Sequence, residues 1–334
     1  MAAPPSSSSG SLEAHHEEED RTLNPPREYN DFVSTLPLEE GWVLTHLREC
    51  QGFWFSSFML AGVMAVRQRL KPRPDDLFLM NHPKTGTTWL KALTFAIMTR
   101  SHHPLLSRNP HDCVLYLEGS FAVGEASRIE AATPPRIFSS HIPYSILPDS
   151  ITGSDCRMIY VCRDPKDVLI SWWHYRERMR PETMELFCEG RCNYGPVWEH
   201  VLEFWRESRR RPEKVLFVKY EEMLEEPVGS AKRLAEFMGC PFSPEEEKEG
   251  VLEDIVRLRS FENLRNLEVN RTGRRKIPVY GVMNASLFRK GEVGDWRNHM
   301  SPEMARRMNE ITQEKLKGSG LILENASLEA APTG

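Results

Sequence analysis

Short apolar runs alternate with amphipathic stretches through the middle of the chain. Leu77–Met80, Arg136–Phe138, Met158–Val161 and Val215–Val218 are too brief for helices and read as strands. Longer periodic stretches follow three of them. The pattern predicts helices over Trp89–Met98, from about Pro165, and over Val228–Met238, where Gly239 ends the run. Strands alternating with helices predict an α/β fold, one domain with a central parallel β-sheet flanked by helices on both faces. Ligands of such sheets bind beyond the C-terminal ends of the strands. The most apolar run, Phe53–Val66, spans 14 residues and is broken by Ser56, Ser57 and Gly62. A bilayer span takes about 20 apolar residues, so this run reads as a buried helix and no membrane association is expected.

Composition narrows the function classes. The chain has 334 residues, of which 40% are hydrophobic, enough for a sizeable core. Its 43 Lys+Arg against 48 Asp+Glu leave a net charge of −5, which disfavours a nucleic-acid binder but allows a local basic pocket. Residues 1–30, with the Ser6–Ser9 run and the acidic Glu17–Asp20 run, read as a disordered tail, and 326–334 as a loose C-terminal tail. The domain then occupies 31–325. Neither a basic n-region nor an apolar h-region follows Met1, and the seven cysteines are irregularly spaced; both point to a reduced, cytoplasmic protein. In that setting the sequons at Asn270, Asn284 and Asn325 read as chance matches. Cys188 and Cys192 lack the further ligands a zinc site needs, so no metal is expected.

The first strand runs into Asn81-His82-Pro83-Lys84-Thr85-Gly86-Thr87-Thr88-Trp89. Gly86 lets the backbone approach a ligand, and the open N–H groups of the next helix sit at its positive end. Lys84 adds charge; Thr85, Thr87 and Thr88 add hydroxyls. The result is a P-loop-like strand-loop-helix cradle for phosphate or sulfate. Lys84 precedes Gly86, whereas an ATP- or GTP-binding loop places Lys after the glycine, so a nucleotide kinase is disfavoured.

Pro83–Trp89 resembles the Pro-Lys-Ser/Thr-Gly-Thr-Thr-Trp loop of cytosolic sulfotransferases, which use 3′-phosphoadenosine 5′-phosphosulfate (PAPS). Two more segments carry the resemblance. Arg163-Asp164-Pro165-Lys166-Asp167 through Ser171 follows the third strand, and Arg289-Lys290-Gly291 leads into Gly294-Asp295-Trp296. The resemblance assigns Arg163, Ser171, Arg289, Lys290 and Gly291 to the 3′-phosphate of the nucleotide. Arginine forks and a close-approaching glycine suit that task. It likewise places Trp89, Tyr220 and Phe261 around the adenine and counts Ser260, beside Phe261, among the nucleotide-binding residues. Arg259 departs from the Thr or Cys usual before Ser-Phe, and its role stays open.

Ser140-His141-Ile142-Pro143 is similar to the family's Thr-His-Leu/Ile-Pro segment, which makes His141 the catalytic base. Sulfuryl transfer must deprotonate an acceptor hydroxyl and stabilise charge on the departing oxygen. An imidazole, with an ordinary pKa of about 6.5, suits the first task, while Lys84 and the helix N-terminus suit the second. Segments at Phe187–Gly190, Tyr194–Pro196, Trp198–His200 and Phe261–Leu264 resemble the plant branch of the family, where flavonoids, steroids and hydroxyjasmonate are among the acceptors. Phe53, Trp54 and Tyr144 are candidate liners of an apolar acceptor pocket. The dimerisation motif of animal members is replaced in Arg297–Arg306, which implies a monomer. The competing reading is a protein that binds PAPS or its desulfated form, PAP, without transferring sulfate.

Overall fold

The computed structural model describes residues 27–40, 46–101, 109–175, 182–273 and 284–323. The predicted C-terminal tail and all but four residues of the predicted N-terminal tail lie outside them. Those four, residues 27–30, open helix α1 (Arg27–Thr35).

The five-stranded parallel sheet runs in the order β5-β6-β4-β7-β8, from β4 (Leu77–Met80), β5 (Leu115–Tyr116), β6 (Ile137–Ser140), β7 (Arg157–Cys162) and β8 (Val215–Lys219). All four predicted strands are present. The second starts one residue later than predicted and runs on through Ser139 and Ser140. The chain leaves β4 for β5 and β6 on one side, then crosses to β7 and β8 on the other. The reversal opens a crevice at the end of β4.

Alternation along each strand divides the core. Phe78 and Met80 of β4, Met158 and Tyr160 of β7, and Val215 and Phe217 of β8 face one cluster. Leu77, Leu79, Ile159, Val161, Leu216 and Val218 face the other. Helices α3 (Thr87–Thr99) and α7 (Pro227–Phe237) cover the second face through Leu90, Leu93, Ile97 and Leu234. Helices α2 (Ser57–Arg69), α5 (Pro165–Tyr175) and α6 (Val197–Arg210) cover the first. Each such buried aliphatic or aromatic side chain contributes about 1.5–3 kcal/mol, which makes these two faces the main source of stability.

The run Phe53–Val66 is not one helix. Phe53–Ser56 forms strand β3, and α2 begins at Ser57, capped by the Ser56 hydroxyl, which accepts from Met59 N. Strand β3 closes a small antiparallel sheet with β1 (Leu38–Glu40) and β2 (His46–Cys50). Gln51 and Gly52, at φ 54° and 82°, make the tight turn between β2 and β3. Helix α4 (Leu117–Ala122) crosses α2 so closely that a Cβ on Gly62 would lie 2.2 Å from the Glu118 carbonyl oxygen. Gly62 is therefore a contact point, not a break. The sequons at Asn270 and Asn284 are buried, which leaves no room for a glycan; Asn325 lies outside the described residues.

Candidate active site

The register Met80↔Ser140 levels the ends of β4 and β6, while β7, paired through Met80↔Tyr160, runs two residues further to Cys162; the exit loops of all three border one space. They form the floor of a cavity of about 490 Å³. Its wall includes Lys84, Gly86, Thr87, Thr88, Trp89, His141, Arg163, Ser171, Tyr220, Phe261, Arg289, Lys290 and Gly291. Residues spread over more than two hundred positions are thus brought to one place.

Two sequence candidates stand behind that wall. The Thr85 side chain points into the protein, where its hydroxyl donates to the carbonyls of His82 at 2.8 Å and Val161 at 3.1 Å. Ser260 caps the helix Phe261–Asn266, its hydroxyl accepting from Asn263 N. Both side chains are spent on holding loops.

The Asn81–Thr88 loop is tightly held. Asn81 Nδ2 donates to Thr87 Oγ1 at 2.5 Å and lies 3.0 Å from Thr85 Oγ1. Lys84 is at φ 73°, a conformation that costs a non-glycine residue about 1–2 kcal/mol. Its ammonium sits 3.8 Å from the centre of the Tyr175 ring. Gly86, at φ 110°, lies under Tyr220; a Cβ there would come within 2.6 Å of the ring. No other residue type fits.

Opposite the loop stand the basic residues. Arg163 donates to the Glu292 carbonyl at 2.7 Å and lies 3.5 Å from Asp167, yet its buried Nε has no partner. An orphaned guanidinium N–H is costly and suits a site built around an anion. Arg289 and Lys290 both pair with the buried Asp295, Lys290 at 2.6 Å. Burial alone would raise the Asp295 pKa. The hydrogen bonds from Lys290, Asn298 and Arg289 outweigh it and hold the carboxyl well below the usual range. Asp295 therefore stays ionised and keeps the two cations together.

This basic loop is fastened to α5 by Asp167. Its two carboxylate oxygens, fully buried, accept from Gly294 N at 2.7 Å and Trp296 N at 3.1 Å. Asp167→Ala would strand both N–H groups, and we expect it to cost on the order of 2–4 kcal/mol of stability. Asp254→Ala, which removes an exposed pair with Arg257, should stay within about 0.5 kcal/mol. Urea unfolding of the two variants checks this. Equal midpoints would show that Asp167 does not anchor the loop.

The predicted aromatics lie around the cavity. Trp89 meets Tyr220 edge to face at 5.9 Å, and the Arg163 guanidinium lies 4.6 Å from the centre of the Tyr220 ring. Gly291, at φ 72°, admits Phe261, whose ring a Cβ would strike at 2.4 Å. Arg259 is buried outside the wall. Burial lowers the pKa of its guanidinium, and its Nε is without a partner.

His141 emerges from β6 beside Asn81. Its Nδ1 lies 2.8 Å from the Asn81 carbonyl oxygen. A carbonyl only accepts, so Nδ1 carries a proton, and in the neutral ring Nε2 has the lone pair. The main chain of His141 is pinned separately. Its N–H donates to Glu118 Oε1 at 2.7 Å, and its carbonyl accepts from His200 Nε2 at 2.9 Å. Burial pushes the His200 pKa down to about 4, so that ring stays neutral, with Tyr160 donating to its Nδ1 at 2.8 Å. Burial likewise raises the Glu118 pKa.

The acceptor side of the cavity differs from the sequence expectation. Phe53, Trp54 and Tyr144 do not line it. Phe53 is core, Trp54 pairs through its backbone with Tyr194 and Gly195, and Tyr144 packs on Phe204. The wall is instead Met59, Tyr116, Trp172, Tyr175, Asn193 and Tyr194. The rings of Tyr116 and Tyr194 stand 5.3 and 5.4 Å from that of His141, and their hydroxyls bond at 2.7 Å. Their approach depends on pairing between β3 and the 193–195 loop, which no local pattern announces.

A parallel sheet with a glycine-bearing loop at its switch point, with cations from separate segments and His141 on the same cavity, has the form of a site for an anionic ligand. Residues 74–320 match the sulfotransferase domain family, and the chain belongs to it. Cytosolic sulfotransferase 12 of Arabidopsis thaliana is 40% identical, the match covering 94% of this chain and 98% of that protein. A flavonol sulfotransferase-like protein of Flaveria bidentis is 43% identical over 88% of this chain and 99% of its own length. A crystal structure of a sulphotransferase from Arabidopsis thaliana superposes with a TM-score of 0.73 at 33% identity, covering 97% of this chain and all of that one. A mouse sulfotransferase solved with PAP gives 0.64 at 26% identity, covering 82% and 95%.

Proposed function

We propose that this sulfotransferase moves the sulfuryl group of PAPS to a hydroxyl of a small-molecule acceptor, with His141 as general base. The observation that carries the reading is the His141–Asn81 hydrogen bond. It supports Nε2 of the neutral ring as the nitrogen that would take the proton, in the same cavity as Lys84 and the Pro83–Thr88 loop. Bound PAPS would supply the sulfuryl group and leave as PAP. Around it, Thr87, Thr88 and the N-terminus of α3 hold the 5′ end, while Arg163, Ser171, Arg289 and Lys290 take the 3′-phosphate. The unpartnered Arg163 Nε and the glycine approaches at Gly86 and Gly291 support that fit. Trp89, Tyr220 and Phe261 frame the adenine. Lys84 steadies the charge that grows on the departing oxygen. The residues shown require no metal for any of these roles.

The acceptor enters between Tyr116, Tyr194, Trp172 and Met59, walls that suit a flat, largely apolar molecule such as a flavonoid, steroid or hydroxyjasmonate. A cytoplasmic setting is supported by the names of the relatives, and no described helix is long and apolar enough to cross a membrane. The changed Arg297–Arg306 segment supports a monomer, which sedimentation at micromolar protein tests.

The reaction is checked with radiolabelled PAPS and a panel of phenols, steroids and hydroxy acids. Label is expected on at least one planar hydroxylated acceptor and on none without enzyme. Tight binding of PAP without transfer to any acceptor would favour a binding protein instead.

A further inference from the structure

We infer that Lys91 and His111 act through Thr88 as a hydrogen-bond relay that commits the Thr88 hydroxyl to donate to the phosphosulfate. The inference rests on the reading of the loop as the PAPS site. Lys91 lies one turn beyond Thr88 on α3 and is 1% exposed, an unusual place for a lysine. Its ammonium is 3.2 Å from His111 Nδ1 and 5.9 Å from the centre of the Tyr116 ring. His111 Nε2 in turn lies 3.1 Å from Thr88 Oγ1. All four residues border the cavity. The imidazole is set on its short helix by the Asn109 side chain, which accepts from His111 N at 2.8 Å.

The directions follow from what each group is able to do. An ammonium has donors and no lone pair, so His111 Nδ1 accepts. His111 is then neutral with its proton on Nε2, which donates to Thr88 Oγ1. That hydroxyl has one proton, and with an acceptor site occupied from behind, the proton is left for the cavity side. Without the relay, a threonine on a helix is free to turn its hydroxyl back to a carbonyl of the preceding turn. Thr94 and Thr99 on this same helix do so, bonding to the Leu90 and Phe95 carbonyls. Thr88 shows no such bond. A positive charge at the head of the chain also polarises both hydrogen bonds towards the anion. Lys91 and His111 are thus positioning residues, which act on the nucleotide through Thr88.

The test is a double-mutant cycle read by calorimetric titration of PAP. Lys91→Met and Thr88→Val are each expected to weaken binding about tenfold, and the double variant by little more than either alone. His111→Phe should match them. His111→Gln should recover most of the loss, because an amide both accepts and donates. Losses that multiply to about a hundredfold in the double variant would put Lys91 on the nucleotide directly and overturn the relay. So would Lys91→Met and His111→Phe proteins that bind PAP like the wild type. Thermal unfolding of each variant separates these results from loss of fold: variants that keep the wild-type midpoint yet lose binding non-additively support the relay. Wild-type protein that does not bind PAP would overturn the PAPS reading, and the relay with it.

Discussion

His141→Ala is expected to lower turnover by about 10²–10⁴-fold, the range for loss of a general base, while the Kd for PAP changes by less than about threefold. The geometry separates the two quantities. The imidazole faces Tyr116 and Tyr194 on the acceptor side of the cavity, and its bond to Asn81 is to the backbone carbonyl, whereas Asn81 holds Thr87 through its side chain. The backbone of residue 141 is held by Glu118 and His200 through its own N–H and carbonyl, contacts that alanine keeps. The fold and the nucleotide site therefore survive the change. Steady-state kinetics with saturating acceptor, alongside calorimetry with PAP, measure both. A variant that kept more than about a tenth of its turnover would remove His141 from the proton transfer.

Lys84→Ala is expected to lower turnover by about 10²–10³-fold, the cost of losing one preorganised charge at a developing oxyanion, with a loss of PAP affinity below about tenfold. PAP lacks the sulfuryl group whose departure Lys84 assists, so its binding reports the ground state without the reacting bond. Alanine has the same difficulty as lysine at φ 73°, so the loop gains no relief that would obscure the result. The contact with the Tyr175 ring is lost as well, at a cost of about 0.5–2 kcal/mol to the free protein. Equal losses in turnover and in affinity would assign Lys84 to ground-state binding alone.

The proposed nucleotide half of the site was legible as a candidate because each of its parts is local. Gly86, Arg163 and Gly291 sit in short segments whose residue order already reads as loop chemistry. The inward side chains of Thr85 and Ser260 have one cause. A hydroxyl in a phosphate loop or before a helix is equally suited to a ligand and to a backbone carbonyl or N–H. Only the neighbours decide, and here Val161 and Asn263 claim them.

The acceptor half was not legible. Met59 lies on α2, Tyr116 on β5, Trp172 on α5 and Tyr194 in a loop paired with β3. None carries a local signal that separates a pocket liner from a core residue. Phe53 and Tyr144 were chosen by residue type and turned out to be packed on His200 and Phe204. The relay from Lys91 was equally hidden. A lysine within an apolar helix reads as a surface position until His111 and Tyr116 are found beside it.

The net charge of −5 is a similar case. It disfavours a nucleic-acid binder but does not describe the cavity. The structure has a few cations, Lys84, Arg163, Arg289 and Lys290, set on one cavity by separate elements, two of them restrained by Asp295. A sum over the chain does not register so small a cluster.

By itself the sequence determined the strand-helix alternation and singled out the Pro83–Trp89 loop, the basic segments and His141 as candidates. These depend on interactions within a few residues: hydrophobic period, helix capping, and the freedom of glycine to take positive φ. Tertiary structure alone decided the β4 switch point, the Gly62 contact between α2 and α4, the tautomer of His141 and the shape of the acceptor wall. Each is set by atoms distant in the chain and brought together by packing, so no local pattern encodes it.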